Sequence, residues 1–483
     1  MPGSSRSRRT GVVLLSTAAL AFTVPAAANA APLVPAAPPY TSDSAQPNLA
    51  SVLAGYNAYW APNGAGNLHG KVLSKTVAGR DDLLAVWING HATKAQQVKA
   101  LQDSTYQNAS GTAYDQSVTI STGLGSVLGP LYVKGRNSGA LPLTSALINS
   151  TNGSSGAYLN VGAAKAAFSH PRPYLPVNAD ATAVAGDEAG CAPSLTNGSS
   201  LKAIRVGKSY ATAAGNLKIK RVTGVLDTTH RFSASDVALD AGYGSTGLCT
   251  GGSFPSGHGT TVYEAGLTLA TLLPELAPEI LARTAEAGNN RLVLGVHYPT
   301  DVMGGRMAGE AALSARWADK KYRTEVLTPA RTELVNYLKK GCKQSLAKCI
   351  AGQKTYKANP YGGTKMPGGT AQIVTGRKSA VAVYRELLTY GFARTGKKKA
   401  ASVPAGAAGL LLTTFPTLTT AQRTSVLAQT ETASGYPLDK TGKKGGSWQR
   451  LNLAAAMSAT VKHLAHGKVK VTATGGKAKV LKG

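Results

Sequence analysis

Apolar positions recur every three to four residues over most of the chain from Asn48 onward, the spacing that keeps one face of an α-helix apolar. Leu49, Val52, Leu53, Tyr56 and Trp60 follow it, and Asp81 to Leu101 reads as further helix through Leu83, Leu84, Val86, Val98 and Leu101. Residues 105–160 alternate helix signals with breaks at Gly123, Gly125 and Gly129. Val262, Ala265, Leu269 and Leu272 mark a helix within Thr260–Leu273. Another is expected from Pro278 to about Leu294, weakened by Gly288 and Asn289. Pro299 suits the first turn of a third, which continues through Met303–Trp317 with Gly304, Gly305 and Gly309 permitting close packing. Residues 180–250 are rich in Gly, Ser, Thr and Asp. There, Ile204–Val206 and Lys218–Val222 read as short strands, and His230 and Arg231 as solvated loop residues among substrate-facing loops. Behind residue 320, helices are predicted over Thr328–Leu338, Val381–Tyr390, Thr420–Thr430 with Thr420 as N-cap, and Ala454–Leu464. The tail from Lys468 alternates Val with Lys and Gly, as a strand or a basic arm. The expected fold class is mainly α: a helical bundle core over 48–320 with irregular loops, and a small, mostly helical C-terminal extension over 321–483.

The first 30 residues break this pattern and read as a signal peptide. Arg6, Arg8 and Arg9 form its charged start, Gly11–Val24 its apolar centre, and Ala28-Asn29-Ala30 a small-residue site cleaved after Ala30. The residues after Arg8-Arg9 fit the twin-arginine motif poorly, which favours the general secretory route. Residues 31–47, rich in Pro, Ala and Ser, read as a disordered linker. No later stretch offers about 20 uninterrupted apolar residues, so a secreted chain that does not span a membrane is expected. An even count of 4 cysteines in an exported chain favours disulfides. Of the three pairings, Cys342–Cys349 joins sequence neighbours and leaves Cys191–Cys249 to tie the long insert to the segment before Pro255.

The net charge of +29 attracts polyanions and acidic surfaces. It suits steering of phosphorylated substrates or association with an anionic cell wall, and equally a soluble high-pI exported protein. Aromatic residues make up 6% of the chain and no nucleic-acid-binding motif is present, so no specific nucleic-acid partner is expected.

Three separated blocks carry candidate chemistry: Lys165-x6-Arg172-Pro173, Pro255-Ser256-Gly257-His258, and Asn290-Arg291-x5-His297-x3-Asp301. Lysine and arginine neutralise phosphate charge, and arginine adds a planar fork of donors. On one continuous helix Lys165 and Arg172 would share a face, but Pro171 and Pro173 predict that the helix stops before Arg172. Ser256 is the candidate N-cap of the following helix, and Gly257 lets a backbone N–H approach an anion at its N-terminus. Asp301, four residues after His297, is placed to accept one imidazole N–H and orient the other nitrogen. His297 is therefore assigned the nucleophile and His258, by elimination, the general acid.

This ordered trio resembles the signature of the type 2 phosphatidic acid phosphatase and vanadium haloperoxidase superfamily, over roughly residues 48–318. The surroundings of Gly252–His258 and Arg291–Val302 look closest to the secreted bacterial class A non-specific acid phosphatases. The resemblance implies an all-helical fold, a phosphohistidine intermediate on His297 with His258 as acid, and no metal or other cofactor. Asn290 stands where that family usually has Ser, still able to donate a hydrogen bond to an oxyanion and so retained as a phosphate-site residue. The reading favoured is an exported acid phosphatase acting on small phosphomonoesters. A vanadium-dependent haloperoxidase, with vanadate held by His297, is the alternative, and a non-catalytic basic protein binding wall polymers a second. Soluble members of the family often associate, so a homo-oligomer is expected.

Overall fold

The computed structural model describes residues 40–106, 115–148, 159–441 and 445–482; the predicted signal peptide and most of the predicted linker lie outside them. The main helices are α1 (Lys75–His91), α2 (Lys94–Thr105), α3 (Leu128–Asn137), α4 (Gly162–Phe168), α5 (Gly257–Leu272), α6 (Ala277–Val293), α7 (Pro299–Ala318), α8 (Thr328–Cys342), α9 (Arg377–Leu387) and α10 (Thr420–Thr430). Strand β1 (Val225–Asp227) pairs antiparallel with β2 (Val237–Leu239). Strand β3 (Thr460–His463) lies between antiparallel β4 (Val469–Ala473) and parallel β5 (Lys479–Leu481). The fold is mainly α.

At its centre, α5, α6 and α7 pack against one another and are buried almost throughout. Small residues set their spacing. A Cβ at Gly305 of α7 would lie 2.8 Å from the Ser256 carbonyl oxygen and 3.0 Å from the Thr260 nitrogen. One at Gly266 of α5 would meet the Thr284 hydroxyl of α6 at 1.9 Å. The backbones therefore approach more closely than any side chain there would permit. This close approach holds the first turns of α5 and α7 side by side, and both turns carry site residues.

Several boundaries differ from the sequence reading. The stretch Asp81–Leu101 is two helices, because Thr93 turns out of α1 and caps α2 through its hydroxyl, accepting from the Gln96 nitrogen at 3.1 Å. Ile204 and Arg205 lie in a helix, Ser199–Arg205, not a strand: Arg205 must reach inward to Asp82, which it pairs at 2.7 Å. Lys218–Val222 does not form a strand. Asn89 of α1 replaces a strand partner, accepting from the Lys220 nitrogen at 2.8 Å and donating to its carbonyl at 2.9 Å. The N-cap of α10 is Thr419, which exchanges hydrogen bonds with Gln422 in a capping box. The predicted helix Ala454–Leu464 is one turn, Leu453–Ala456, followed by β3, whose Val461 is buried opposite Val471. At the other end, residues 40–47 do not hang free as a linker. Tyr40 packs edge-on against Tyr322 at 5.0 Å, and Ser42 and Asp43 bond Arg316 of α7.

The chain behind residue 320 covers the central helices. Arg377 of α9 pairs with Glu279 of α6 at 2.8 Å, and Arg306 of α7, buried with Glu310 at 2.8 Å, donates to the Gln449 carbonyl at 2.8 Å. Both disulfides, Cys191–Cys249 and Cys342–Cys349, are formed. No single helix among the described residues is long and apolar enough to cross a membrane.

Candidate active site

Ser256 is extended and its hydroxyl accepts from the Gly259 nitrogen at 3.0 Å, which starts α5 there. Its own nitrogen donates to the Asp301 carbonyl at 3.0 Å and ties this start to α7. The first turn then presents Gly257 and His258, at the positive end of a 16-residue helix.

His297 lies between α6 and α7 and is buried. Asp301 occupies the third position of α7. Its Oδ2 accepts from the Tyr298 nitrogen at 2.8 Å and faces His297 Nδ1 at 3.1 Å; its Oδ1 accepts from the Ser253 hydroxyl at 3.2 Å. On the other side of the ring, Arg172 Nη1 stands 3.0 Å from His297 Nε2. Guanidinium only donates and a carboxylate only accepts. Together they specify the tautomer: the proton is on Nδ1 and the lone pair on Nε2, directed into the cleft.

The cations reach this point from three segments. Helix α4 stops at Phe168, because Ser169 takes a left-handed conformation at φ 44°, so Lys165 is helical while Arg172 lies in the chain beyond it. Arg172 is buried and held by carbonyls, with Nε donating to Leu248 at 2.6 Å and Nη1 to Val296 at 3.0 Å. Lys165 Nζ donates to the Gly252 carbonyl at 2.6 Å. Arg291, in the last turn of α6, donates to the Ser104 hydroxyl of α2 at 2.6 Å. These side chains with Gly257, His258 and His297 line an open cleft of about 430 Å³, completed by Ser104, Thr105 and the loop Asp240–Leu248.

The electrostatics follow from crowding cations in a buried place. His297 is held well below the ordinary imidazole range, first by burial and then by Arg172, Lys165 and Arg291. His258 is also held well below it, by burial and then Arg291, against a hydrogen bond to the Ser104 backbone that favours its charged form. Burial and then Arg172 push Lys165 down, with Asp301 opposing. Burial pushes the Asp301 carboxyl up, while the Tyr298 N–H, Lys165 and Arg172 pull it back. The arrangement is an electropositive pocket around two neutral imidazoles. It suits a tetrahedral anion, with one nitrogen lone pair aimed at its centre.

Lys165, Arg172, Gly257, His258, Arg291, His297 and Asp301 are thus brought together as the sequence pattern suggested. Ser256 contributes its backbone and its cap; its hydroxyl is spent on Gly259. Asn290 does not face the cleft. Its amide donates to Asp103 at 2.7 Å and its oxygen accepts from Gln96 at 2.5 Å, both on α2. One residue earlier on α6 than Arg291, it points about 100° around the helix. His170 is buried, with Nδ1 at 3.2 Å from the Ser253 hydroxyl that bonds Asp301. Burial and then Arg205 lower it to about 3.

Sequence reasoning missed Ser104 and Ser253. Ser253 stands inside the quoted block Gly252–His258, and its place two residues before Pro255 was the available signal. Ser104 had none, since its partner Arg291 is 187 residues away.

Residues 143–325 match the model of the PAP2 superfamily. The chain is similar to an acid phosphatase of Zymomonas mobilis, 38% identical over 88 residues, which are 18% of this chain and 33% of that protein. It is similar to a non-specific acid phosphatase of Providencia stuartii, 31% identical over 79 residues, 16% of this chain and 32% of that one. A decaprenylphosphoryl-5-phosphoribose phosphatase of Mycolicibacterium smegmatis is 39% identical over 103 residues, 21% of this chain and 51% of that protein. The matched segments therefore span about a third of the two acid phosphatases and about half of the third relative.

Proposed function

Given a PAP2 superfamily domain over residues 143–325, we propose that this chain is an exported acid phosphatase that hydrolyses phosphomonoesters through a phosphohistidine on His297, without a metal ion. The observation that carries this reading is the pairing of His297 with Asp301 on Nδ1 and Arg172 on Nε2. It fixes the attacking lone pair on Nε2, where the cations converge and where Arg172 covers it.

In the first step a substrate phosphate takes the place of the Arg172–His297 contact, its oxygens shared by Lys165, Arg172, Arg291 and the N–H groups at the start of α5. His297 Nε2 attacks phosphorus, the bond from phosphorus to the ester oxygen breaks, and His258 gives its proton to the leaving alkoxide. Asp301 stabilises the positive ring that results. In the second step water attacks the same phosphorus, His258 takes its proton, and the P–N bond breaks to release phosphate. The cations stabilise charge on the equatorial oxygens in both steps.

The affinity of His258 for a proton is low in the protein by itself. Burial and then neighbouring cations lower that affinity, and a phosphate dianion offsets the cations, so proton uptake by the acid is favoured as substrate binds. This coupling favours an acidic optimum. Export is supported by the N-terminal sequence pattern and by two disulfides, which persist in oxidising compartments.

The test is hydrolysis of p-nitrophenyl phosphate between pH 4 and 8 with a chelator present. Release that vanadate blocks, with an acid-labile phosphoenzyme absent from His297→Ala, is the expected result. Near-normal turnover by His297→Ala would sink the assignment, and bromide oxidation after vanadate loading without phosphatase activity would replace it by the haloperoxidase reading.

A further inference from the structure

Apart from the catalytic cleft, a second cavity of about 380 Å³ opens beside α2 and α3. Its charged lining is entirely basic: Lys99, Arg231, Lys354 and Lys357, with the hydroxyls of Ser121, Thr122, Ser126 and Thr355 between them. The buried rings of Phe232 and Tyr356 contribute to its walls, and Arg231 lies over Phe232 at 5.2 Å.

The nearest carboxylates are already committed. Glu286 receives Lys99 at 2.9 Å, the Tyr356 hydroxyl at 2.6 Å and Arg283 at 3.4 Å. Asp227 accepts from Gln102, Tyr106 and Thr229 at 2.6 to 2.8 Å. Arg231, Lys354 and Lys357 make no ion pair with any described residue. Asp227 favours the Arg231 charge from a distance, and the cavity still carries a surplus of positive charge to which an anion is attracted.

The two cavities share helix α2, on faces about 140° apart. Lys99 stands on α2, about 7.5 Å along the axis from Ser104 in the catalytic cleft. Arg231 and Phe232 lie in the β1–β2 connection, and β2 runs on into Asp240 and Ala241 of that cleft.

We propose that the basic cavity is a second anion site, which holds a remote phosphate of a substrate carrying more than one. As a statement about substrate class it rests on the phosphatase reading; as a binding site it does not. A multiply charged ligand engaging both places gains from their proximity without any change at the reacting phosphate.

Two arms test it in the full-length chain. In the first, inorganic tripolyphosphate is titrated calorimetrically into the His297→Ala protein, and into the same protein also carrying Arg231→Ser, Lys354→Ser and Lys357→Ser. Two binding events in the former and one in the latter are expected. A single event in both, or an unchanged pair, overturns the site. The single change Lys354→Glu, at an exposed position, should weaken the second event at least about tenfold and guards against misfolding of the triple variant. In the second arm, otherwise wild-type protein with the three serine changes is assayed on p-nitrophenyl phosphate and on a hexose bisphosphate. KM should rise about tenfold for the bisphosphate alone. Equal changes for both substrates overturn the substrate role. Absence of any hydrolysis by the wild type counts against the phosphatase reading and leaves the titration to decide the site.

Discussion

Arg172 Nη1 and His297 Nε2 are 3.0 Å apart, with the guanidinium donating to the imidazole lone pair. The group that would stabilise a phosphate oxygen thus covers the proposed nucleophile. Substrate must separate them, and the same guanidinium is then positioned to bind the oxygen that displaced it. Arg172→Ala should lower kcat by roughly 10² to 10³-fold, the usual cost of losing one oxyanion donor. Arg172→Lys should recover little of it, because an ammonium cannot reach the Leu248 and Val296 carbonyls and the ring together. Full rescue by lysine in a kcat measurement would mean that Arg172 supplies only charge.

Asp301 faces three donors: the Tyr298 nitrogen, the Ser253 hydroxyl and His297 Nδ1. In Asp301→Asn the amide oxygen can keep the helix-capping bond, so the thermal midpoint should change little. The same oxygen keeps facing His297 Nδ1, because both donors converge on Oδ2, and the NH2 group takes the Oδ1 place beside the Ser253 hydroxyl, so what is lost is the negative charge that stabilises the ring once it is positive. A fall in kcat of about 10² to 10³-fold is expected. A kcat within a few-fold of wild type would remove Asp301 from the mechanism.

Proton linkage gives a signed test of the two histidines. Both bind protons weakly, because burial and neighbouring cations oppose the charged form. A bound dianion opposes those cations, so the complex holds more protons than the free protein. Affinity must then rise as pH falls through the range in which the complex takes up protons, and level off once the free histidines are also protonated. Sulfate is the suitable probe, since it stays a dianion over this range. Calorimetry at pH 5.5 in buffers of different ionisation enthalpy should show net proton uptake, reduced in His258→Asn. Binding without proton uptake would contradict the coupling.

Asn290 links α6 to α2 through Asp103 and Gln96. Serine, the residue usual in the family that the motif resembles, is too short to reach both. Asn290→Ser should cost about 1 to 3 kcal/mol of stability by leaving a buried polar group unpaired, with kcat retained within about threefold. Denaturant melts and steady-state kinetics separate the outcomes. A large loss of kcat with no loss of stability would place this side chain in the anion site after all.

Much of this site was legible in the order and spacing of its residues. His297 and Asp301 are one helical turn apart with Pro299 between them, so a helix start alone brings them within reach. Ser256 and His258 were equally local, fixed to the first turn of α5 by the cap. Pro171 and Pro173 predicted where α4 must stop short of Arg172, and Ser169 turns the chain just before them.

What only the tertiary structure decided lies between segments. A residue's direction around a buried helix depends on which neighbours accept its polar atoms, and sequence spacing does not name them. Asn290 and Arg291 are adjacent in sequence, yet one is spent on Asp103 and Gln96 while the other reaches Ser104 beside the cleft. Ile204–Arg205 has strand-like composition, but burying Arg205 on Asp82 favours a helix. The basic cavity gathers Lys99, Arg231, Lys354 and Lys357 from three distant stretches, each an ordinary surface cation when read alone. Local pattern determined the helices and the motif, because those are set within a turn or two. Chain folding determined which charges face one another, because that depends on residues hundreds of positions apart.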